Sequence, residues 1–378
     1  MRFLYIAALI LAAAPAAAQQ QQSQEIVVTG HRLSDTKKAL EDCLKRKCPP
    51  NEDIDATLAH AENLFVAGDY LEARKTVKQS ISRNDRYARD FPVPVSDLYR
   101  VNSRVSAHLG EGGDYERSTW AIKRALKAGL ADEDARVVAA DFEVADMQAA
   151  MNKIDAASAT YKGIEKRANQ IGRPDLAGVA RLREAWLNQI SGDTAGARSK
   201  LRKIAADRTP GAKVARLGAL VLLARLDRKD GKLESSDALI AEMREAGLSK
   251  PTLLFSPPVE LNNANADQES GSATRLIAMD DFDDKWVDVG FWVEPSGRVA
   301  DVEILRRHGQ DEWAKPLLKS IQGRIYSPSK DAGGGSYRVE RYSYTSLWSN
   351  RTGTRMRRRS QDARIEFLDL TAEPERKQ

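Results

Sequence analysis

This 378-residue sequence has little cysteine, few aromatics and few histidines. Its two cysteines, Cys43 and Cys48, are too few for a disulfide framework and cannot complete a zinc site unaided. The four histidines, His31, His60, His108 and His308, stand far apart, none beside another histidine, a cysteine or a well-placed carboxylate. No G-x-S-x-G, H-E-x-x-H or phosphate-binding loop occurs. Asp280, Asp281, Asp283 and Asp284 lack the spacing of a calcium loop. The sequence thus points away from an enzyme and implies no cofactor and no metal. A net charge of +5 is small for this length and gives no reason to expect nucleic acid. Aromatics at 6% suit a helix-rich, alanine-rich chain better than an all-β one. Beyond residue 18 no stretch is apolar enough to span a membrane, since Arg216 and Arg225 interrupt Val214 to Leu226.

What is present begins with a leader. Met1-Arg2 is followed by an apolar run from Phe3 to Ala14, then by Ala16-Ala17-Ala18. This order predicts a signal peptide over 1–18, cleaved after Ala18, and a soluble periplasmic product. Residues 19–53 are expected to hold a mobile segment and a first helix with the Cys43/Cys48 pair, oxidised in an exported chain. Pro49-Pro50 ends that helix and lets the chain turn back.

Over 54–248 alanine and leucine recur at three- and four-residue spacing. Superimposed on this is a longer repeat. Gly68-Asp69-Tyr70, Gly113-Asp114-Tyr115, Asn152-Lys153-Ile154, Gly192-Asp193-Thr194 and Gly231-Lys232-Leu233 recur at about 39 to 45 residues and predict turns between paired helices. Glycine or asparagine takes the left-handed conformation that ends one helix, and aspartate caps the next. Ala61 to Arg74, with Gly68-Asp69-Tyr70 and Glu72-Ala73 at its turn, resembles a tetratricopeptide (TPR) unit. The remaining hairpins fit that family loosely, with a longer period.

Pro251, Pro257, Pro258 and Asn262-Asn263-Ala264-Asn265 break the helical pattern and predict a linker over 249–272. A small domain is expected over 273–350, followed at 351–378 by a basic loop, a further strand and a tail. Val287 to Glu294 and Arg298 to Leu305 read as strands about the turn Pro295-Ser296-Gly297. Gln310 to Gln322 reads as a helix, Tyr337 to Trp348 as a strand, and Ile365 to Leu370 as one more. The expected class is α+β: a helical-hairpin array followed by a small βαβ-type domain.

Val287, Val289, Phe291 and Val293, then Gly297-Arg298-Val299, Val302 and Ile304, Gly309, a helix and Arg324-Ile325-Tyr326-Ser327-Pro328, together resemble the C-terminal domain of TonB. Arg324 stands where that family usually has tryptophan, and Arg307-His308 where it has a serine pair. The resemblance implies a periplasmic domain that grips an extended segment of an outer-membrane receptor or another TonB-system protein by strand addition. Placed on this chain, the open edge falls within Tyr337 to Trp348, with Tyr337, Val339, Tyr342, Tyr344 and Trp348 as contacts. Glu25-Ile26-Val27-Val28-Thr29-Gly30 resembles the TonB box, a segment suited to joining such an edge. The sequence lacks the retained membrane helix and Pro-rich span of an energy transducer, so an adaptor associated with TonB-type transport is expected before a transducer. Arg351, Arg355, Arg357, Arg358 and Arg359 are expected to form an exposed basic loop facing an anionic envelope surface.

Overall fold

The computed structural model describes residues 32–232, 239, 251–259, 282, 285–327, 335–350, 356–360 and 363–371. The leader, the Glu25–Gly30 segment, most of the expected linker, and Arg351 and Arg355 lie outside them.

The chain is α+β. Among the described residues ten helices come first: α1 (Leu33–Lys45), α2 (Pro50–Ala67), α3 (Tyr70–Asn84), α4 (Pro92–His108), α5 (Gly112–Gly129), α6 (Ala135–Ala150), α7 (Ile154–Gln170), α8 (Pro174–Ile190), α9 (Thr194–Ala206) and α10 (Lys213–Lys229). Cys43 and Cys48 are bonded and close the connection from α1 to α2, whose first residue is Pro50. The array is TPR-like in its paired, stacked helices. Each hairpin turns on a left-handed residue: Gly68, Gly110, Asn152 and Gly192, with Gly231 following α10. Asp69 and Asp193 cap the helices that follow, accepting hydrogen bonds from the Glu72 and Gly196 amides. The second turn differs from expectation. It is Leu109-Gly110-Glu111, and Gly113 and Asp114 lie inside α5. Three glycines within four residues, Gly110, Gly112 and Gly113, offered the chain a choice, and Gly110 takes the positive φ of 71°.

The second part contains β1 (Leu253–Phe255), β2 (Lys285–Val293), β3 (Val299–His308), α11 (Ala314–Gln322), β4 (Ile325–Tyr326), β5 (Ser336–Thr345), β6 (Trp348–Asn350), β7 (Arg357–Arg359) and β8 (Arg364–Asp369). The main sheet has the order β3-β2-β5-β8, each neighbour antiparallel. β3 and β5 run parallel to one another with β2 between them, so the crossover through α11 is a split βαβ unit. β1 pairs with β4 and β6 with β7 in two small ladders. The stretch expected as a linker therefore contributes a strand.

Strand β2 is buried along nearly its whole length. Val287, Val289, Phe291 and Val293 pack on one face against Ala314, Leu317 and Ile321 of α11. Trp286 and Asp288 point the other way, onto the array. A strand covered on both faces cannot show simple apolar–polar alternation, and its polar residues must find partners inside the protein.

Candidate interaction site

The sheet is seated on the tips of the first two hairpins. At the first, Gly68 has φ 91°, and a Cβ there would fall 2.4 Å from the Trp286 indole. At the second, a Cβ on Gly110 would fall 2.0 Å from the Ser346 carbonyl oxygen, and the Trp348 amide donates to the Gly110 carbonyl at 2.7 Å. The glycines that end the first helix of each hairpin thus also let a second backbone or ring approach. Gly192 and Gly231 have nothing within that range.

Between the two tips lies a buried polar network. Arg341 donates from Nε to Asp288 Oδ1 at 2.6 Å and from Nη2 to Oδ2 at 2.9 Å. Its Nη1 and Nη2 also reach the Phe65 and Val66 carbonyls in the last turn of α2, each at 2.8 Å. A guanidinium suits this negative end of a helix. Its plane lies 3.9 Å from the Trp286 ring centroid. Arg306 gives Asp288 a further donor at 2.7 Å. Nearby, Ser343 Oγ lies 2.8 Å from His108 Nδ1 and 3.0 Å from Tyr70 Oη. Burial lowers the His108 pKa to about 3, with Arg341, Arg104 and Arg364 acting in the same direction. Serine, histidine and tyrosine in contact are a nucleophile–base geometry, but all three are buried in the seam. Their observable role is to join β5 to α3 and α4.

The expected open border is not where the sequence placed it. β5 lies inside the sheet: β2 pairs along one side and β8 along the other, from Glu340↔Asp369 to Thr345↔Arg364. Beyond β8 the tail continues the seal, the Leu370 amide donating to the Val339 carbonyl and the Val339 amide to Thr371 Oγ1. Tyr337 rests on Trp292, ring centroids 5.2 Å apart, with its hydroxyl above Gly290. Tyr342 is buried and accepts a hydrogen bond from Arg324, and Tyr344 stacks on Trp313. Trp348 opens β6 at the Gly110 tip. Tyr337, Val339, Tyr342 and Tyr344 share β5, with Val339, Tyr342 and Tyr344 buried and Tyr337 half-buried, while Trp348 lies on β6. Arg324, the departure from the TonB pattern, is matched by Glu340 at 2.6 Å.

The basic cluster also differs from the expected exposed loop. Arg357, Arg358 and Arg359 form β7. Arg359 is buried, donating to Ser346 Oγ and to the Phe282 carbonyl, while Arg357 pairs with Glu111.

The sheet ends instead at β3 and β8. β3 carries two register shifts, opposite Asp288/Val289 and Gly290/Trp292, and Asp301 there has φ 51°. Bulges and charged ends of this kind discourage pairing. β8 pairs in unbroken register and has no strand neighbour on its other side among the described residues. Because the Leu370 amide points to β5, alternation turns the Ile365, Phe367 and Asp369 amides and carbonyls outward. Phe367, packed 5.6 Å from Tyr342, is 53% exposed. No group of His, Cys, Asp or Glu able to hold a metal occurs among the described residues.

No family model matches the chain, and no curated protein matches it. Among solved structures the chain is similar to BtubC from P. vanneervenii, at 12% identity over 64% of this chain and 95% of that one, TM-score 0.44. It is also similar to a putative kinesin light chain of Podosopora anserina with nearly identical TPR-like repeats, at 15% identity over 53% and 96%, TM-score 0.40. A third is a Rap protein complexed with competence and sporulation factor, at 13% identity over 56% and 59%, TM-score 0.38. At these identities and scores the likeness says nothing of what this chain binds.

Proposed function

We propose that the chain is a non-enzymatic, exported interaction protein that holds an extended peptide by strand addition at the outer border of β8. The observation that carries this is the contrast between the two ends of the sheet: β3 is bulged, and β8 is regular with an exposed Phe367. Backbone pairing along β8 supplies affinity, and Phe367 supplies an apolar contact for alternate side chains. The hairpin β2–β3, helix α11 and strand β5, in the order β3-β2-β5, support a TonB-type reading in which the partner belongs to outer-membrane transport. In that reading β8 adds a strand to the border where the resemblance placed the partner, so the binding edge lies one strand further out.

The test uses a labelled hexapeptide of the Glu25–Gly30 sequence added to chain lacking residues 19–32. Phe367→Pro removes one outward amide without touching the β5 ladder. It is expected to weaken binding about tenfold, roughly 1.4 kcal/mol, while Phe367→Ser weakens it less. Unchanged affinity in Phe367→Pro would discard the β8 border as the site.

A further inference from the structure

A second site, independent of β8, lies beside the disulfide. Between the connection it closes and the end of α3 there is a cleft of about 360 Å³, within the roughly 300 to 1,000 Å³ of small-molecule sites. Two separate stretches of chain wall it. One is the loop from α1 to α2, with Lys47, Cys48 and Pro50. The other is the end of α3 and the single turn Asp85–Tyr87 after it, with Arg83, Arg86 and Tyr87.

The charges along these walls do not balance. The acid of the lining, Asp53, is already matched: Arg83 donates to its two oxygens at 2.8 and 2.6 Å, and Asn84 adds a bond at 2.8 Å. Lys47 and Arg86 form no ion pair among the described residues; Arg86 donates to Tyr87 Oη at 2.9 Å and lies over the Tyr87 ring. Lys47 is also held in a conformation that lysine rarely takes. It follows the C-cap of α1 with φ 53°, in the left-handed region where a helix ordinarily ends on glycine. The Lys47 amide on the Leu44 carbonyl, at 3.2 Å, and the Cys48 amide on the Cys43 carbonyl, at 3.1 Å, fix it there inside the disulfide ring. A side chain at this position strains the backbone, so the fold gains nothing from lysine that glycine would not supply. Leu44, which is 40% exposed, joins Pro50 and Tyr87 as the apolar part of the lining.

We propose that this cleft binds a small organic anion, a carboxylate or a phosphate ester with an apolar body, its charge between Lys47 and Arg86 and its body against Leu44, Pro50 and the Tyr87 ring. An anion supplies the counter-charge that these two cations lack. The volume suits a single ring carrying one anionic group. Because Lys47 and Cys48 share one wall, the disulfide holds the ammonium in place, and the site depends on the oxidised pair.

The probes are phenyl phosphate and benzoate, titrated into the full chain by calorimetry. Inorganic phosphate and benzyl alcohol, each lacking one half of the ligand, are the controls. At least one aromatic anion is expected to bind, the tighter of the two assigning the charge as phosphate or carboxylate, and each control should bind at least about tenfold more weakly. Lys47→Gly is the deciding variant. It relieves the left-handed backbone, so it should melt no lower than the unsubstituted chain while its affinity falls at least about tenfold. Arg86→Gln, at an exposed position, and Cys43→Ser/Cys48→Ser should weaken binding in the same direction. Phe367→Pro should leave it unchanged. Affinity retained in both Lys47→Gly and Arg86→Gln overturns the proposal, as does a failure of both aromatic anions to bind at about 10 mM. A lower melting temperature in Lys47→Gly overturns it too, since the lysine would then serve the fold.

Discussion

Arg341 and Asp288 face each other across β5 and β2 with both side chains wholly buried, joined by two hydrogen bonds of 2.6 and 2.9 Å. The pair sits directly against the last turn of α2, so it fastens the sheet to the array as well as strand to strand. Removing Asp288 leaves the buried Arg341 without its counter-charge in a closed seam. Asp288→Asn is expected to cost about 3 to 5 kcal/mol in urea unfolding, whereas Asp288→Leu with Arg341→Met should recover much of that loss. A double-variant loss equal to the sum of the two single-variant losses would show that the pair is not coupled.

Gly68 and Gly192 have nearly the same backbone, φ 91° and 90°, but different surroundings. Alanine at Gly192 should cost only the left-handed strain, about 1 to 2 kcal/mol. Alanine at Gly68 meets Trp286 as well and should cost at least about 1 kcal/mol more. Paired thermal melts of the two variants measure the difference, and equal costs would mean that the tip does not hold the indole.

His108 gives the seam a pH dependence. Its folded pKa is depressed to about 3, below the ordinary value of 6.5, so the unfolded chain binds the proton more readily. Stability from this group is complete above about pH 6.5 and declines as pH falls towards 3, by at most about 1.4 kcal/mol per pH unit. His108→Gln should flatten the stability profile between about pH 6.5 and 4.5, above the range where most carboxylates titrate. His60, whose pKa is also lowered by burial, keeps a smaller slope in the variant. A variant with the full wild-type slope would assign the dependence elsewhere.

The hairpin array was legible because its turns are local. A left-handed glycine followed by a capping aspartate is a requirement of a few neighbouring residues, visible at Gly68-Asp69 and Gly192-Asp193. Strand positions were legible for the same reason, from alternation around Gly297. The pairing of β5 with β8 was not, since nothing in Tyr337 to Thr345 says which distant strand closes its border. Asp288, Arg341 and Ser343 were missed as a docking network because polar residues alternating with apolar ones look like a solvated face. Here that face is covered by the helices. The one sequence signal was Trp286 beside them, a large ring on the supposed outer side of the sheet.

Tyr70 and Ser343 are bonded across 273 positions of sequence. During synthesis the first helices emerge long before the strand that will lie on them. Throughout that delay the ring of Tyr70 and the buried histidine of α4 are open to water, and a chain halted before β5 leaves them so. Truncations near the end of the sequence should therefore be felt near its beginning, as early helices that attract chaperones or aggregate.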